Sequence, residues 1–186
     1  MTAEAFAKQL PAVVTLDDLA ALNAFDEHGH RYELSPEGAL SIMPPADSVH
    51  ARVASRLMMW LFAAGWSADK VLQTVGIRIP GADGDGGRIP DLAVWTKPPQ
   101  DGVWLGIKDL LLVVEIVSPS SKGTDEVIKR TEYAQAGIPR YWVVDRDPVQ
   151  TVTLYRLGPN GDYLEHAKMP LAWLLNTPAA EHLDSW

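Results

Sequence analysis

The sequence predicts a single α/β domain in which a mixed β-sheet is flanked by helices. Three observations lead to this prediction. The 186 residues are enough for one domain with a hydrophobic core. Segments with the periodicity of strands and of helices alternate along the chain. The sequence also contains no repeat, low-complexity tract or linker that would divide it into two domains.

The amino-acid composition limits the classes of protein to which the chain can belong. Apolar residues make up 47% of the chain and charged residues 22%, as in an ordinary soluble globular protein. The chain has no cysteine, so disulfides and thiolate metal sites are excluded and a metal would need oxygen or histidine ligands. The net charge of −8 argues against a broad phosphate-binding surface, but it leaves room for a local basic cleft.

The N-terminal segment does not have the pattern of a signal peptide. It carries an early acid, Glu4, and no long apolar stretch. The longest apolar run of the chain, at 57–66, is shorter than the roughly 20 residues that cross a bilayer. We therefore expect a cytoplasmic protein that does not enter the membrane, with residues 1–14 loosely ordered.

The first half of the chain alternates helices with a β-hairpin. Thr15 is a suitable N-cap for a helix, because Asp17 and Asp18 follow in the first turn, where the helix dipole favours acids. Asp47 or Ser48 begins a second, strongly amphipathic helix. The elements predicted here are a helix from 15 to about 25, hairpin strands at 31–34 and 39–43 joined by SPEG, and a helix at 48–64.

The second half is dominated by strands. The most apolar of them, LLLVVEIV, precedes a predicted helix. The sequence pattern predicts Thr124 as the N-cap of this helix and Gly137 as the residue that ends it. A terminal hairpin turns at GPNG, and the short apolar tail after it packs on the sheet or on a second subunit. The elements predicted here are strands at 71–80, 88–95, 110–117, 140–145, 151–157 and 162–168, with a helix at 122–136.

Two of these strands contain a carboxylate. Asp91 follows Pro90 near the start of IPDLAVW, and Glu115 interrupts the apolar run LLLVVEIV. Burying a charge is costly unless the charge is paired or bound to a metal. Two neighbouring carboxylates also repel each other unless a cation lies between them. If the strands pair, Asp91 and Glu115 form a set of oxygen ligands that suits Mg²⁺ or Mn²⁺.

The helix after Glu115 supplies a cation. Lys129, Tyr133 and Ala136 share one helical face. If that face turns towards the sheet, Lys129 reaches the carboxylates, where it could orient or deprotonate a water or stabilise charge on a phosphate. Simpler interpretations stay open for each residue alone. Asp91 fits a turn residue, Glu115 fits a salt bridge with Lys129 or Arg130, and Lys129 fits a solvated helix position.

The segments around these residues resemble a known family. Pro90-Asp91, followed by Glu115-Ile116-Val117 on the next strand, is similar to the PD-(D/E)xK pattern of restriction-endonuclease-like nucleases. More narrowly, the chain resembles the Uma-two family of small stand-alone restriction endonucleases. The segments that carry this resemblance cover most of the chain: RYELSPEGAL, the PP…H segment at 44–50, IPDLAVW, LVVEIVSPSS and K…YAQAGIPRYWVVD.

The resemblance implies a restriction-endonuclease-like core, a mixed sheet flanked by helices. It implies that Asp91 and Glu115 hold a divalent metal, Mg²⁺ or Mn²⁺, with the backbone carbonyl of Ile116 as a further ligand. It also implies that an activated water hydrolyses a DNA phosphodiester without a covalent intermediate.

One position departs from the family pattern. The lysine of the motif belongs at position 117, where this sequence has Val117. Lys129, from the following helix, is the expected substitute. Glu33, in RYEL, stands where family members also carry an acid, and it is expected to complete the metal site as one of the catalytic residues. Its alternative role is that of a cross-strand partner for a basic residue.

Four further residues are expected near the substrate. His50 falls on the apolar stripe of its helix, where a structural or supporting role is favoured over catalysis. Arg88 precedes the Asp91 strand and is a candidate DNA contact. Lys122 follows the Glu115 strand, where it could hold a phosphate, although a plain Ser/Pro-rich turn is the favoured interpretation of this segment. Tyr133 shares the face of Lys129.

Three hypotheses follow. The first is a metal-dependent DNA endonuclease, which would act as a homodimer if it cuts both strands of a duplex. The second is a catalytically degenerate nuclease fold that serves as a binding or scaffold module, which the absence of a lysine at 117 and the acidic charge favour. The third is hydrolysis of another phosphate ester. We expect the first.

Overall fold

The computed structural model of the chain describes residues 14–82, 84–117 and 125–183. The expected disorder of the N-terminus, the Thr124 cap, Lys122 and the serines at 118–121 lie outside these residues. The helices are α1 (Leu16–Phe25), α2 (Ser48–Ala63), α3 (Asp125–Gln135), α4 (Leu171–Leu174) and α5 (Ala180–Leu183). The strands are β1 (Arg31–Leu34), β2 (Leu40–Met43), β3 (Val71–Gln73), β4 (Gly76–Ile79), β5 (Gly86–Arg88), β6 (Leu92–Trp95), β7 (Trp104–Leu105), β8 (Leu110–Val117), β9 (Arg140–Asp145), β10 (Thr151–Leu157) and β11 (Tyr163–Pro170).

The strands form two sheets in one α/β domain. A five-stranded sheet has the order β2-β1-β5-β4-β7, and a six-stranded sheet has the order β11-β10-β9-β8-β6-β3. Each sheet is mixed, because β4 and β7 are parallel in the first, β8 and β9 are parallel in the second, and the other pairs are antiparallel. The predicted fold class is confirmed, although the sequence predicted one sheet and the chain forms two.

Strand β8 lies in the middle of the six-stranded sheet because both of its faces are apolar. Leu112 and Val114 pack in the core that includes α2. Val113 and Val117 pack on the opposite side with Tyr133 of α3. Successive side chains of a strand alternate between faces. Glu115 is therefore on the α3 side of the sheet, together with Val113 and Val117.

Local sequence signals set several element boundaries as expected. Thr15 caps α1 in a reciprocal arrangement with Asp18, in which each side chain accepts a hydrogen bond from the other residue's backbone N–H. Asp47 caps α2 by accepting hydrogen bonds from two backbone N–H groups. The expected hairpins β1–β2 and β10–β11 are both present. Helix α4 buries Leu171 and Leu174 in the core beside the six-stranded sheet.

Two predicted strands were wrong in the same way. The segments 71–80 and 88–95 each divide into two strands, and the chain crosses from one sheet to the other between them. At the first crossing Thr74 has a positive φ of 55°. The Thr74 N–H donates to the Asp91 carbonyl oxygen at 3.2 Å, which joins the two crossings. The tertiary pairing of β3 with β6 and of β4 with β5 decides these breaks.

The glycine-rich segment 81–87 ends in a strand. Gly86 and Gly87 belong to β5, where they lie opposite Ile79 and Arg78 of β4. A Cβ at Gly87 would lie 2.7 Å from the Trp104 ring and 2.8 Å from the Leu16 side chain. Strand β5 thus needs glycine here for close packing between β7 and α1. The two-residue strand β7 was not predicted.

Candidate active site

A cavity of about 470 Å³ opens where the two sheets meet. Strands β6 and β8 pair antiparallel with Leu92 opposite Val114, which places Asp91 and Glu115 at adjoining positions. Both carboxylates line the cavity, together with Glu33 from β1 and Lys129 from α3. The break before β6 therefore brings Asp91 to the junction of the sheets.

Asp91 is held on both carboxylate oxygens. Its Oδ1 lies 2.8 Å from His50 Nε2 and 3.3 Å from Arg31 Nη1. Its Oδ2 accepts a hydrogen bond of 2.7 Å from the backbone N–H of Ile116. Burial alone would raise the pKa of Asp91, but these partners, His50 foremost, hold the pKa below its ordinary value. Asp91 is therefore a carboxylate at neutral pH.

Glu115 has the opposite electrostatic environment. Its Oε1 accepts hydrogen bonds from Lys129 Nζ at 3.1 Å and from the Tyr133 hydroxyl at 2.8 Å. Burial raises the pKa of Glu115 to about 7, and the charges of Asp91 and Glu33 add to this effect against the attraction of Lys129. Burial thus disfavours the charge of Glu115 more than Lys129 and Tyr133 stabilise it.

The Lys129 ammonium group lies between two acids. Its Nζ is 3.0 Å from Glu33 Oε2 and 3.1 Å from Glu115 Oε1, and the residue is 5% exposed. Burial acts against the charged form, but Glu115 and Glu33 raise the pKa of Lys129 above its ordinary value. Lys129 is accordingly a fixed cation at neutral pH.

Glu33 is also held by a backbone N–H and by a second group of buried charges. Its Oε1 accepts a hydrogen bond from the Ile89 N–H at 2.9 Å, and Arg88 Nη1 lies 3.3 Å from its Oε2. The Arg88 guanidinium also binds both carboxylate oxygens of Glu132, at 2.5 and 2.7 Å. Glu33, Arg88 and Glu132 are 1–4% exposed, so this network is almost completely buried.

The opposite wall of the cavity is more open and carries three basic side chains. Arg31, His50 and Arg146 line it, with side-chain exposures of 18%, 14% and 21%. The Arg146 Nη2 lies 2.6 Å from Oδ2 of Asp47, the N-cap of α2. Basic and acidic groups therefore face each other across one cavity.

The structure brings together most of the residues singled out from sequence. Asp91, Glu115, Glu33 and Lys129 meet around the cavity, and Lys129 points to the sheet as the helical face predicted. The further members of this set that lie beside them are Ile116, His50 and Tyr133. The backbone N–H of Ile116 donates to Asp91 Oδ2, and His50 Nε2 lies within hydrogen-bond distance of Asp91 Oδ1.

Two expected substrate contacts are placed differently. Arg88 is 3% exposed and makes its ion pairs with Glu132 and Glu33, so it offers no accessible surface to DNA. Tyr133 is fully buried, and its hydroxyl donates to Glu115. Both side chains hold carboxylates in place. Arg88 and Tyr133 are thus positioned to support the site from behind and not to touch a polymer directly.

The sequence interpretation missed three charged residues of this region: Glu132, Arg31 and Arg146. Glu132 follows Lys129 by three positions, a spacing that places both on one helical face. Arg31 precedes Glu33 by two positions, which is the same-face spacing of a strand. These two signals were available in the sequence. For Arg146, immediately after β9, no local pattern indicated the site.

The donor chemistry of the site fits a hard divalent cation. A carboxylate offers about four lone-pair sites, and the contacts above leave capacity on Asp91 Oδ2 and Glu115 Oε2 among the described residues. No group of three or more His, Asp or Glu side chains with metal-binding geometry occurs in the described part of the chain. Two carboxylates, a carbonyl and waters match the way in which Mg²⁺ is commonly bound.

The fold is shared with a protein of known structure. It matches the crystal structure of a protein described as "a putative nuclease belonging to DUF820" from Anabaena variabilis ATCC 29413, with a TM-score of 0.58 and 19% sequence identity over 84% of each chain. This likeness shows that the two chains share a fold.

The family assignment is more specific. The profile of the Uma2 family, described as "Putative restriction endonuclease", matches residues 16–183. This is the Uma-two family that the sequence resembles, and the chain belongs to it. No curated protein matches the chain at a significant level. Within the described residues, no helix is long and apolar enough to cross a membrane.

Proposed function

We propose that the chain is a divalent-metal-dependent endonuclease that hydrolyses phosphodiester bonds in DNA. One observation carries the proposal: the buried Lys129 ammonium contacts Glu115 and Glu33 in a cavity that Asp91 also lines. Lys129 thus supplies, from α3, the cation that the motif places at Val117. Membership in the Uma2 family supports the same class of reaction.

Asp91 and Glu115, with the backbone carbonyl of Ile116, would hold Mg²⁺ or Mn²⁺. Such an ion would lower the pKa of a bound water and offset charge that develops on the phosphate. The cavity and the Arg88–Glu132 pair behind it carry five negative charges when all the acids are ionised, on Glu33, Asp47, Asp91, Glu115 and Glu132, against four fixed positive charges on Arg31, Arg88, Lys129 and Arg146. The negative excess favours a bound cation.

The side chains around the metal site have two further roles, which are to stabilise charge and to position other groups. Because Lys129 stays an ammonium at neutral pH, it stabilises negative charge on the reacting phosphate instead of accepting a proton. Tyr133 and Glu33 fix the positions of Glu115 and Lys129 through hydrogen bonds. Arg88 in turn fixes Glu33. These contacts orient the reactive groups before substrate arrives.

The first test is cleavage of supercoiled plasmid and of single-stranded DNA with Mg²⁺, with Mn²⁺ and with EDTA. We expect cleavage only with metal, and a loss of at least about 100-fold in Asp91→Asn and in Glu115→Gln. Asp101→Asn, in an exposed loop, is the matched control and should cleave like the unmodified chain. Equal cleavage by all four proteins would contradict the proposal.

The form of the cleaved plasmid, nicked or linear, also reports the oligomeric state of the protein. One site cuts one strand, so a monomer should nick the plasmid, and double-strand breaks call for a two-fold dimer. We propose a homodimer as the form that linearises DNA. Light scattering, with the ratio of nicked to linear product measured across protein concentrations, checks this: linear product from a strict monomer would contradict it.

A second candidate function is a non-catalytic binding module. Val117 at the motif lysine position and the net charge of −8 favour it. Calorimetry with Mn²⁺ separates the two candidates. Binding that disappears in Asp91→Asn and Glu115→Gln supports the nuclease. Absence of binding by the unmodified chain, with and without DNA, supports the binding module.

A further inference from the structure

The basic wall of the cavity contains groups that the acids of the site do not require. Arg31, His50 and Arg146 line the same cavity as Asp91 and Glu115, but Arg146 makes no ion pair with either. Its described ion pair is with Asp47, whose side chain is 52% exposed. A partly exposed ion pair of this kind contributes little to stability. The contribution of this ion pair to stability therefore does not explain why an arginine lies on the cavity wall at position 146.

Arg146 also has an unused donor. Its Nε is buried and has no hydrogen-bond partner among the described residues, although Nη2 binds Asp47. A buried N–H without a partner is costly, and the cost disappears when an anion or water accepts its hydrogen. The guanidinium fork matches the oxygens of a phosphate group, for which Nε and one terminal nitrogen commonly donate together.

Arg31 is similarly underused. Its single described contact with Asp91, at 3.3 Å, is longer than a strong charge-assisted hydrogen bond, and its side chain is 18% exposed. A guanidinium has five N–H donors. Arg31 can therefore keep Asp91 in place and still donate to a ligand in the cavity.

We propose that Arg31 and Arg146 form a phosphate subsite beside the carboxylate centre, which binds the phosphodiester group next to the scissile one on a nucleic-acid strand. The proposal rests on the proposed function, because it assigns the scissile group to the Asp91–Glu115 side of the cavity. A volume of about 470 Å³ accommodates a nucleotide-sized group. Asp47 pairs with Arg146 when the subsite is empty, so a phosphate must displace Asp47 to bind Arg146.

The charge of the chain indicates a small footprint. Proteins that grip a duplex over 6–10 phosphates lose affinity steeply with salt, at about −0.9 in logarithmic slope per phosphate. A net charge of −8 does not suit such an extended surface. Two phosphates on one strand instead predict a shallow slope of about −1.4, from about −0.7 per phosphate.

The test measures the Kd for a fluorescein-labelled oligothymidylate of about ten nucleotides. The fluorescence anisotropy of the labelled strand reports binding, once in a buffer with EDTA and once in a buffer with Ca²⁺. Arg146→Gln should raise the Kd about 10-fold and reduce the magnitude of the salt slope by about 0.7. Asp47→Asn should lower the Kd by about 2- to 5-fold, because it frees Arg146 and retains a side chain that caps α2. The two variants of one ion pair thus move the Kd in opposite directions.

Arg78 and Asp85 provide a matched control pair. They form an ion pair at 3.1 Å with side-chain exposures of 52% and 37%, and they do not line the cavity. Arg78→Gln and Asp85→Asn make the same changes in net charge as the test variants. We expect both to leave the Kd within about 2-fold of the unmodified chain, which separates a local subsite from an effect of overall charge.

Several results would overturn the subsite. They are no saturable binding by the unmodified chain in either buffer, an unchanged Kd in Arg146→Gln, and equal shifts in the Arg78 and Arg146 variants. Thermal melting of each variant guards against misfolding, and Arg146→Lys, which retains the charge without the fork, should show an intermediate Kd. The proposed nuclease function fails independently: a chain that binds through Arg146 but never cleaves keeps the subsite and loses the function.

Discussion

The two halves of the candidate site differ in how far their charged side chains are buried and paired. One half, the sealed half, comprises Glu33, Arg88, Glu132, Lys129 and Glu115, which are 1–7% exposed and joined by ion pairs. The other, the open half, comprises Asp91 with His50, Arg31, Arg146 and Asp47, and its basic side chains are 14–21% exposed. The sealed half is a fixed framework, whereas the open half retains donors and solvent access.

The difference also shows in the two carboxylates that meet across β6 and β8. The pKa of Asp91 lies below its ordinary value because His50, Ile116 and Arg31 favour the charge despite burial. The pKa of Glu115 rises to about 7 because burial and two acidic neighbours disfavour it. Adjacent positions in one sheet thus differ because of the elements that cover them. The open half resembles a surface that receives a ligand, and the sealed half resembles a support that holds reactive groups in place.

The largest expected difference in stability comes from removing one arginine from each half. Arg88→Met leaves Glu33 and Glu132 buried without their guanidinium, and we expect it to lower the free energy of unfolding by about 3–5 kcal/mol. Arg31→Met removes the same charge from the open half and should cost about 1 kcal/mol or less. Urea denaturation measures both. Equal losses would remove the distinction between the halves.

An intermediate effect is expected for Glu115→Gln. The folded state raises the pKa of Glu115 from 4.5 to about 7, so ionisation of this residue costs stability progressively as the pH rises through that interval. Without metal, Glu115→Gln should therefore melt at a higher temperature than the unmodified chain at about pH 8, with a gain of about 1–3 kcal/mol, and the gain should shrink towards about pH 5.

The control for this prediction is Glu165→Gln, at an exposed position on β11. Its melting temperature should follow that of the unmodified chain at both pH values. A Glu115→Gln protein that is less stable at about pH 8 than at about pH 5, relative to the unmodified chain, would show that the Lys129 ion pair outweighs the cost of burying the charge.

The smallest effect is expected at the crossing between the sheets. Thr74 has a positive φ of 55°, which is unfavourable for a β-branched residue, and its N–H holds the Asp91 carbonyl. Thr74→Gly keeps that N–H and should stabilise the fold by about 0.5–1 kcal/mol. Thr131→Gly, within α3, should instead destabilise it. A loss of stability in Thr74→Gly would mean that the threonine side chain contributes packing that its exposed position does not suggest.

Much of the local structure could be predicted from sequence. The strands 31–34, 110–117, 140–145 and 151–157 have the bounds that their patterns predicted, and Thr15 and Asp47 cap their helices. The face of α3 that carries Lys129 and Tyr133 was also apparent from spacing alone. Periodicity and capping depend on residues within a few positions of each other, which is why the sequence reports them well.

The tertiary structure decided which of these elements meet. By itself the sequence determined the strands that carry Glu33 and Glu115, the helix that carries Lys129, and the likeness to the Uma2 family. The division of 71–80 and 88–95 between two sheets depends on pairing partners far away in the chain. The burial of Arg88 against Glu132, 44 positions later, likewise exists only once the sheets close on α3, because a buried charge selects its partner by spatial proximity and not by sequence spacing.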